Sequence, residues 1–253
     1  MSDLAGRTVL LTGASRGIGA ATARVLGERG AAVAAHYGSY REGAEEAVAG
    51  IPDADRLLVG ADLSRPGAAR ELWREAAAWR RIDVLVVNAA TMPTTAFTGE
   101  DAGWDEGWRQ ALQVNVLEPA SLIREALAHF LAHGGGTLIT LSSWAAQRGS
   151  AIADLAAYAS SKAAIANLTQ TVARNYAARG VLAHVVAPGI VRTRLSEASA
   201  AARGGVDAVN AVLAMGEMVP PEEVAELIAF LATGTCRHLT GATIDVNGAS
   251  HVR

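Results

Sequence analysis

A short unbroken apolar run at residues 7–12 passes without a linker into Thr12-Gly13-Ala14-Ser15-Arg16-Gly17-Ile18-Gly19, and a helical pattern opens directly from that turn. A run of this length without polar alternation fits a strand buried on both faces of a parallel sheet. The pattern behind it puts Ile18, Ala21, Val25 and Leu26 on one helical face and closes at Gly30. Strand, glycine turn and helix together aim backbone N–H groups and a positive helix end at one point, and residues without side chains let an anion come close. The turn therefore reads as a phosphate cradle. Its G-x-x-x-G-x-G spacing departs from the G-x-G-x-x-G fingerprint.

The same alternation continues along the chain. Apolar runs recur at residues 31–37, 56–60, 82–87, 137–141, 181–187 and 242–246. Between them lie helical patterns at 41–50, after Pro66, through Trp104 and Trp108 to about His133, at 155–179, and from Pro220-Pro221-Glu222-Glu223 onward. This predicts an α/β chain, a single-domain Rossmann-type doubly wound parallel sheet of about seven strands over residues 1–253, with helices on both faces. A ligand belongs at the carboxyl ends of its strands. No repeat or linker divides the chain, and the Ala- and Gly-rich stretch 196–216, with Gly204 and Gly205, suggests a mobile substrate lid over 190–216.

Charge narrows the partners. The chain carries 22 basic and 25 acidic residues with no block of one sign, which argues against a nucleic-acid or membrane surface and for small molecules or a second copy of itself. Met1-Ser2-Asp3-Leu4 lacks a basic region leading into an apolar stretch, and no run approaches the ~18 residues of a membrane span, so a cytoplasmic protein is expected. The single Cys236 excludes an internal disulfide and is read as a packing residue. His129 and His133 have metal-ligand spacing, but Gly134-Gly135-Gly136 follows at once, and a role at the helix end is preferred, with no metal.

Several polar residues stand where strands end. The 31–37 run finishes at Tyr37, where an acid would grip an adenosine ribose in an NAD site. With no carboxylate there, and with Arg16 and Arg41 nearby, the local charge favours NADP over NAD. Asp62 either bonds an adenine amino group or caps the helix after Pro66. Asn115, amid Val114, Val116 and Leu117, is either buried against backbone or placed for a task. Tyr158 and Lys162 lie one turn apart on one helical face, so an ammonium would draw the phenol, ordinarily near ~10, toward the working range of an acid. Ser143, with Ser142 beside it, ends the 137–141 strand and delivers a hydroxyl to the same place. The 155–179 helix is nearly uncharged before Arg174 apart from Lys162, which suggests burial on both faces and a homo-oligomer, tetramer or dimer. Pro188-Gly189-Ile190-Val191-Arg192-Thr193 is a rigid turn that could meet the far end of a cofactor.

Taken in order, these residues resemble the classical short-chain dehydrogenase/reductase family over nearly the whole chain, and most of all its 3-oxoacyl-[acyl-carrier-protein] reductase-like branch. The resemblance implies an NADP(H) site built by Gly13, Ser15, Arg16, Gly17, Ile18 and Gly19, by Tyr37, Arg41, Asp62 and Leu63 at the adenosine end, and by Asn88 and Ala89. Pro188, Gly189, Ile190 and Thr193 would meet the nicotinamide side. It implies a catalytic set of Asn115, Ser143, Tyr158 and Lys162. Ser143 would bond the substrate carbonyl, Tyr158 would donate the proton, Lys162 would lower the tyrosine pKa and hold a ribose, and Asn115 would position a water. The implied activity is NADPH-dependent reduction of a ketone or 3-oxoacyl carbonyl. The alternatives are an alcohol, sugar or steroid dehydrogenase working oxidatively, and an idle NADP-sensing protein. Three departures stand out: Ala90 replaces a usual glycine, the connection from Ser143 to Tyr158 is longer than usual, and Gly248-Ala249 replaces a frequent Gly-Gly pair, with little consequence expected. Thr91, Met92, Pro93, Trp144, Gln147, Ile190 and the 196–216 stretch are candidate pocket residues, and Trp144 is either a pocket wall or packing.

Overall fold

A computed structural model describes residues 3–201 and 204–252. In chain order the elements are β1 (Thr8–Leu11), α1 (Gly17–Glu28), β2 (Ala32–Tyr37), α2 (Arg41–Ala47), β3 (Arg56–Gly60), α3 (Ala68–Trp79) and β4 (Val84–Val87). Then follow α4 (Asp101–Leu112), α5 (Glu118–Ala132), β5 (Gly136–Leu141), α6 (Ala145–Arg148) and α7 (Ala156–Tyr176). The chain continues through β6 (Val181–Pro188), α8 (Arg194–Ala201), α9 (Val206–Asn210), α10 (Pro221–Ala232) and β7 (Thr243–Val246). The seven strands form one parallel sheet in the order β3-β2-β1-β4-β5-β6-β7. From β1 the chain winds outward to β3, then returns to lay β4 on the other side of β1. That reversal opens a crevice at the carboxyl ends of β1 and β4.

Successive residues of the central strands feed two separate cores. Val9, Leu11, Val84 and Val86 pack with Ala21, Val25 and Leu26 of α1 and Val224, Ile228 and Leu231 of α10. Leu10, Leu85 and Val87 pack on the other side with Leu72 and Trp73 of α3, Leu122 and Phe130 of α5, and Ile165 and Val172 of α7. Burial on both faces explains why these strands read as unbroken apolar runs. Each such buried Leu, Ile, Val or Phe contributes about 1.5–3 kcal/mol.

Four expectations change. The helical region through Trp108 to His133 is not one regular helix, because Gln113–Leu117 forms a π-helical turn between α4 and α5. Its cause is Pro119, which has no N–H for the carbonyl of Asn115 and whose ring would strike that carbonyl in a regular helix. Asp62 does not cap α3. Buried Glu118 does, accepting the N–H groups of Gly67 at 3.0 Å and Ala69 at 2.7 Å. Cys236 is exposed rather than packed, since it lies beyond the end of α10. Ala249 has φ +58°, the left-handed region that its counterpart glycine would enter freely, so this departure carries strain. In the stretch expected to be a lid, α8 and α9 enclose a small core of Ala200, Val209 and Met218, while residues 202–203 lie outside the described residues, as do residues 1, 2 and 253. Trp104 and Trp108 stack in a row with exposed Phe97, at centroid distances of 5.2 and 5.7 Å. Among the described residues no helix is long and apolar enough to cross a membrane, and no three His, Cys, Asp or Glu side chains converge to hold a metal.

Candidate active site

The switch point is stitched by side chains. Thr12, at the end of β1, accepts with Oγ1 the N–H groups of Asn88 at 2.9 Å and Ala89 at 3.0 Å and donates to the Val86 carbonyl at 3.3 Å. Asn88 returns two bonds from Nδ2, to the carbonyls of Thr12 at 2.9 Å and Gly13 at 3.0 Å. Gly13, at φ +71°, donates its N–H to Nδ1 of His36 at 3.1 Å. His36 then donates from Nε2 to the Ala61 carbonyl at 2.9 Å. Burial lowers the His36 pKa, so the ring is neutral and serves as a rigid peg between β2 and the turn. Behind the turn the helix presses close: a Cβ on Gly19 would lie 1.9 Å from the Gly13 carbonyl oxygen.

A cleft of about 1130 Å³ runs from this turn across the strand ends. Gly13, Ser15, Arg16, Gly17 and Ile18 line it, as do Asp62, Leu63, Asn88, Ala89, Pro188, Gly189, Ile190 and Thr193. Gly19 supports the turn from behind instead. A Cβ on Gly17 would lie 2.9 Å from Cγ2 of Thr193, so the two ends of the site pack on each other. Tyr37 and Arg41, by contrast, do not line the cleft. Side chains alternate along a strand, so with His36 turned inward Tyr37 faces the other way, over Gly60 of β3. Arg41 donates to the Tyr37 hydroxyl at 3.2 Å and pairs with Glu45 at 2.7 Å. Their place is taken by Gly38, Ser39 and Tyr40, with the Arg16 guanidinium 4.2 Å from the Tyr40 ring centroid. Gly43 makes this corner possible, because a Cβ there would strike the Tyr40 ring and the Ser15 carbonyl. Asp62 accepts the Ser64 N–H at 2.9 Å and hydroxyl at 2.7 Å, and these bonds hold its carboxyl below the usual range.

Farther along the cleft, β5 and α7 supply the polar centre. Ser142 donates to the Lys162 carbonyl at 2.8 Å and so belongs to the α7 contact. Ser143 accepts the Ala145 N–H at 3.2 Å and is hydrogen-bonded to the Tyr158 hydroxyl. Lys162, buried, donates from Nζ to the Leu141 carbonyl at 2.8 Å and lies 5.8 Å from the Tyr158 ring centroid. The expectation that Lys162 lowers the tyrosine pKa is not met in this arrangement. Burial raises the Tyr158 pKa, the Ser143 hydrogen bond opposes that rise, and burial lowers Lys162 to about 8. Asn115 accepts the Thr91 N–H at 2.8 Å and donates to the Thr91 carbonyl at 2.9 Å and to Ser161 at 3.0 Å. It thereby clamps the exit of β4 to α7 one residue before Lys162.

At the far end Trp144 lines the cleft, and its backbone N–H donates to the Pro188 carbonyl at 3.0 Å. Met92 and Ile190 join it, as do Ser196, Val212 and Leu213 from the expected lid, whereas Thr91, Pro93 and Gln147 do not. Sequence reading missed His36, Ser39, Tyr40, Arg148, Ile152 and Leu155. Period-two alternation along β2 could have found His36, and the length of the Ser143–Tyr158 connection pointed to the last three.

A family profile described as enoyl-(acyl carrier protein) reductase matches residues 13–251. Cis-4-hydroxycyclohexanecarboxylate dehydrogenase of Sinomonas cyclohexanicum is 37% identical over 96% of this chain and 95% of its own length. 3beta-hydroxysteroid dehydrogenase 1 of Eggerthella lenta is 34% identical over 97% and 94%. Among solved structures, a 3-oxoacyl (acyl-carrier-protein) reductase of Agrobacterium tumefaciens with NADP bound superposes with a TM-score of 0.87 at 32% identity, covering 97% of this chain and 94% of that one. Full-length likeness at these identities, together with the seven-stranded sheet, makes the chain an oxidoreductase of the classical short-chain dehydrogenase/reductase family.

Proposed function

We propose that this protein is an NADP(H)-dependent carbonyl reductase that converts a ketone or 3-oxoacyl-type carbonyl into a secondary alcohol. The observation that carries this reading is the bonded pair of Ser143 and Tyr158, with Lys162 beside it, in the same cleft as the Gly13–Gly19 turn. The cleft fits the cofactor: Gly13 and Gly17 present no Cβ to the pyrophosphate, and Arg16 beside Ser39 and Tyr40 offers a cation for a 2′-phosphate. The structural relative with NADP bound supports the same choice. Bound there, the nicotinamide supplies the hydride. Ser143 would hold the substrate carbonyl oxygen, Tyr158 would give that oxygen a proton, and Lys162 would hold the nicotinamide ribose. Asn115 positions a water through which the proton is replaced. Burial keeps the Tyr158 hydroxyl protonated, the form that can donate, which favours reduction near neutral pH.

An oxidative reading has its own support. Two relatives are named for dehydrogenation of cyclic secondary alcohols, and Trp144, Met92, Ile190 and Leu213 form an apolar wall suited to a ring. Oxidation needs Tyr158 as a base and is expected to gain as pH rises. The deciding experiment is NADPH and NADH oxidation against acetoacetyl thioesters, cyclic ketones and sugar ketones, with alcohol oxidation in parallel. NADPH should exceed NADH by roughly 10-fold or more, the worth of one charge-assisted contact at the 2′-phosphate. A preference for NADH overturns the cofactor assignment.

Lys162 sets an upper pH limit. Its pKa in the free enzyme is about 8, so the ammonium is present below that value and lost as pH rises through it. For reduction, kcat/KM is expected to fall above about pH 8 in a pH–rate profile, and a flat profile to pH 10 would show that the charge is not required. Exposed Ser160, Ala164, Asn167 and Thr171 give α7 a small-residue outer face, which supports self-association as a tetramer or dimer, measurable by light scattering. With an exposed lone thiol at Cys236, a reducing, cytoplasmic location suits the chain.

A further inference from the structure

Helix α6 occupies the long connection between Ser143 and Tyr158, and its last residue, Arg148, is cationic. The Arg148 guanidinium carbon lies 4.4 Å from the Trp144 ring centroid, and both residues line the cleft. Arg148 is exposed, and among the described residues no ion pair or hydrogen bond engages its side chain. Three other cations among the described residues line the cleft, Arg16, Lys162 and Arg194. Arg16 stands at the 2′-phosphate corner, Arg194 follows Thr193 against Gly17, and Lys162 adjoins Tyr158. Among the described residues one carboxylate lines the cleft, Asp62, which is at the adenosine end and is bonded to Ser64. Among the described residues, the Arg148 guanidinium therefore has no anion of the protein to answer it in the cleft.

A guanidinium stacked on an indole is held by its face, while its N–H edge remains free to bind a planar anion through two parallel bonds. We infer that the substrate is an oxo acid whose carboxylate is bound by Arg148 while Trp144 holds the carbon skeleton. Arg148 is thus a specificity-determining residue. It lies one helical turn from Trp144, and Trp144 directly follows Ser143, so one short segment carries the groups for both the carboxylate and the reacting carbonyl. This geometry suits a compact acid and not a distant phosphate of a carrier arm. The inference rests on the carbonyl reductase reading, and its test separates the two.

Reduction of 4-oxocyclohexanecarboxylate and of its methyl ester is compared in wild type, Arg148→Gln and Arg148→Lys. Wild type is expected to favour the acid over the ester by roughly 10–100-fold in kcat/KM, the worth of a charge-assisted bidentate contact. In Arg148→Gln that ratio should collapse toward one, chiefly through KM for the acid. Arg148→Lys should keep part of it, because the charge survives and the fork does not. The same ratio in wild type and Arg148→Gln overturns the proposal. Should neither ketone turn over, the reaction assignment fails on its own, and binding of cyclohexanecarboxylate to the NADPH complex by calorimetry decides the anion site. Binding in wild type that is lost in Arg148→Gln supports it. Absent or equal binding in the two proteins overturns it.

Discussion

Replacing Tyr158 with phenylalanine is expected to reduce turnover by about 10²–10⁴-fold, or more, while NADPH still binds. The substitution removes one hydroxyl and keeps the ring that packs beside Lys162. Ser143 loses the oxygen to which its hydroxyl donates but keeps the Ala145 N–H on its own oxygen. The fold and the Gly13–Gly19 turn therefore have no reason to change. In the proposed reaction, what disappears is the proton that the alkoxide needs as the hydride arrives. Since Ser143, Tyr158 and Lys162 form one unit in the proposed reaction, removal of one should disable the others, and the loss should exceed a single general-acid term. Fluorescence titration with NADPH alongside steady-state turnover checks both halves. Turnover within a few-fold of wild type would remove Tyr158 from the proposed role.

Gly19→Ala is expected to damage the protein as a whole. Its Cβ would lie 1.9 Å from the Gly13 carbonyl oxygen and 2.7 Å from Nδ2 of Asn88, the group that donates to that same oxygen. Neither neighbour is the loose end of a flexible side chain. One is backbone at the switch point, and the other is fixed by bonds to two carbonyls. Relief requires α1 to move away from β1, which opens the phosphate turn and breaks the Asn88 stitch together. The expected outcome is a fall in Tm of roughly 5–10 °C, from about 3 kcal/mol of overpacking, with loss of NADPH affinity. Gly103→Ala in α4, where a Cβ meets nothing within 4 Å, is the control, and it should be neutral or slightly stabilising. Equal melting of the two variants would refute the account.

The central strands were legible in the sequence because they lie in one parallel sheet covered by helices, where a run such as Val9-Leu10-Leu11 can stay apolar at every position, while the half-buried edge strands β3 and β7 keep a shorter apolar stretch. The site was legible where a residue type has a distinctive neighbour. Tyr158 and Lys162 meet through helical spacing, and Ser143 through strand register. It was less legible where the answer depends on which way a side chain turns. Tyr37 and Tyr40 lie close in sequence, yet His36 occupies the inward position, and the aromatic ring that meets Arg16 is Tyr40. Glu118 as the cap of α3 joins elements that are remote in sequence, and no local pattern announces it. The direction of the Tyr158 shift depends on how much water the fold removes, which no spacing records.

The π-helical turn at Gln113–Leu117 works as a rotational offset. Relative to a regular helix it holds one extra residue, and one residue turns a helix by about 100°. Deleting a residue there would swing everything upstream of Pro119 by that angle. The Phe97, Trp104 and Trp108 row would then point in another direction while Asn115 lost its alignment with Thr91 and Ser161. An outer aromatic surface and the buried amide of Asn115 are thus indexed by the same inserted residue, so neither can be re-aimed without the other.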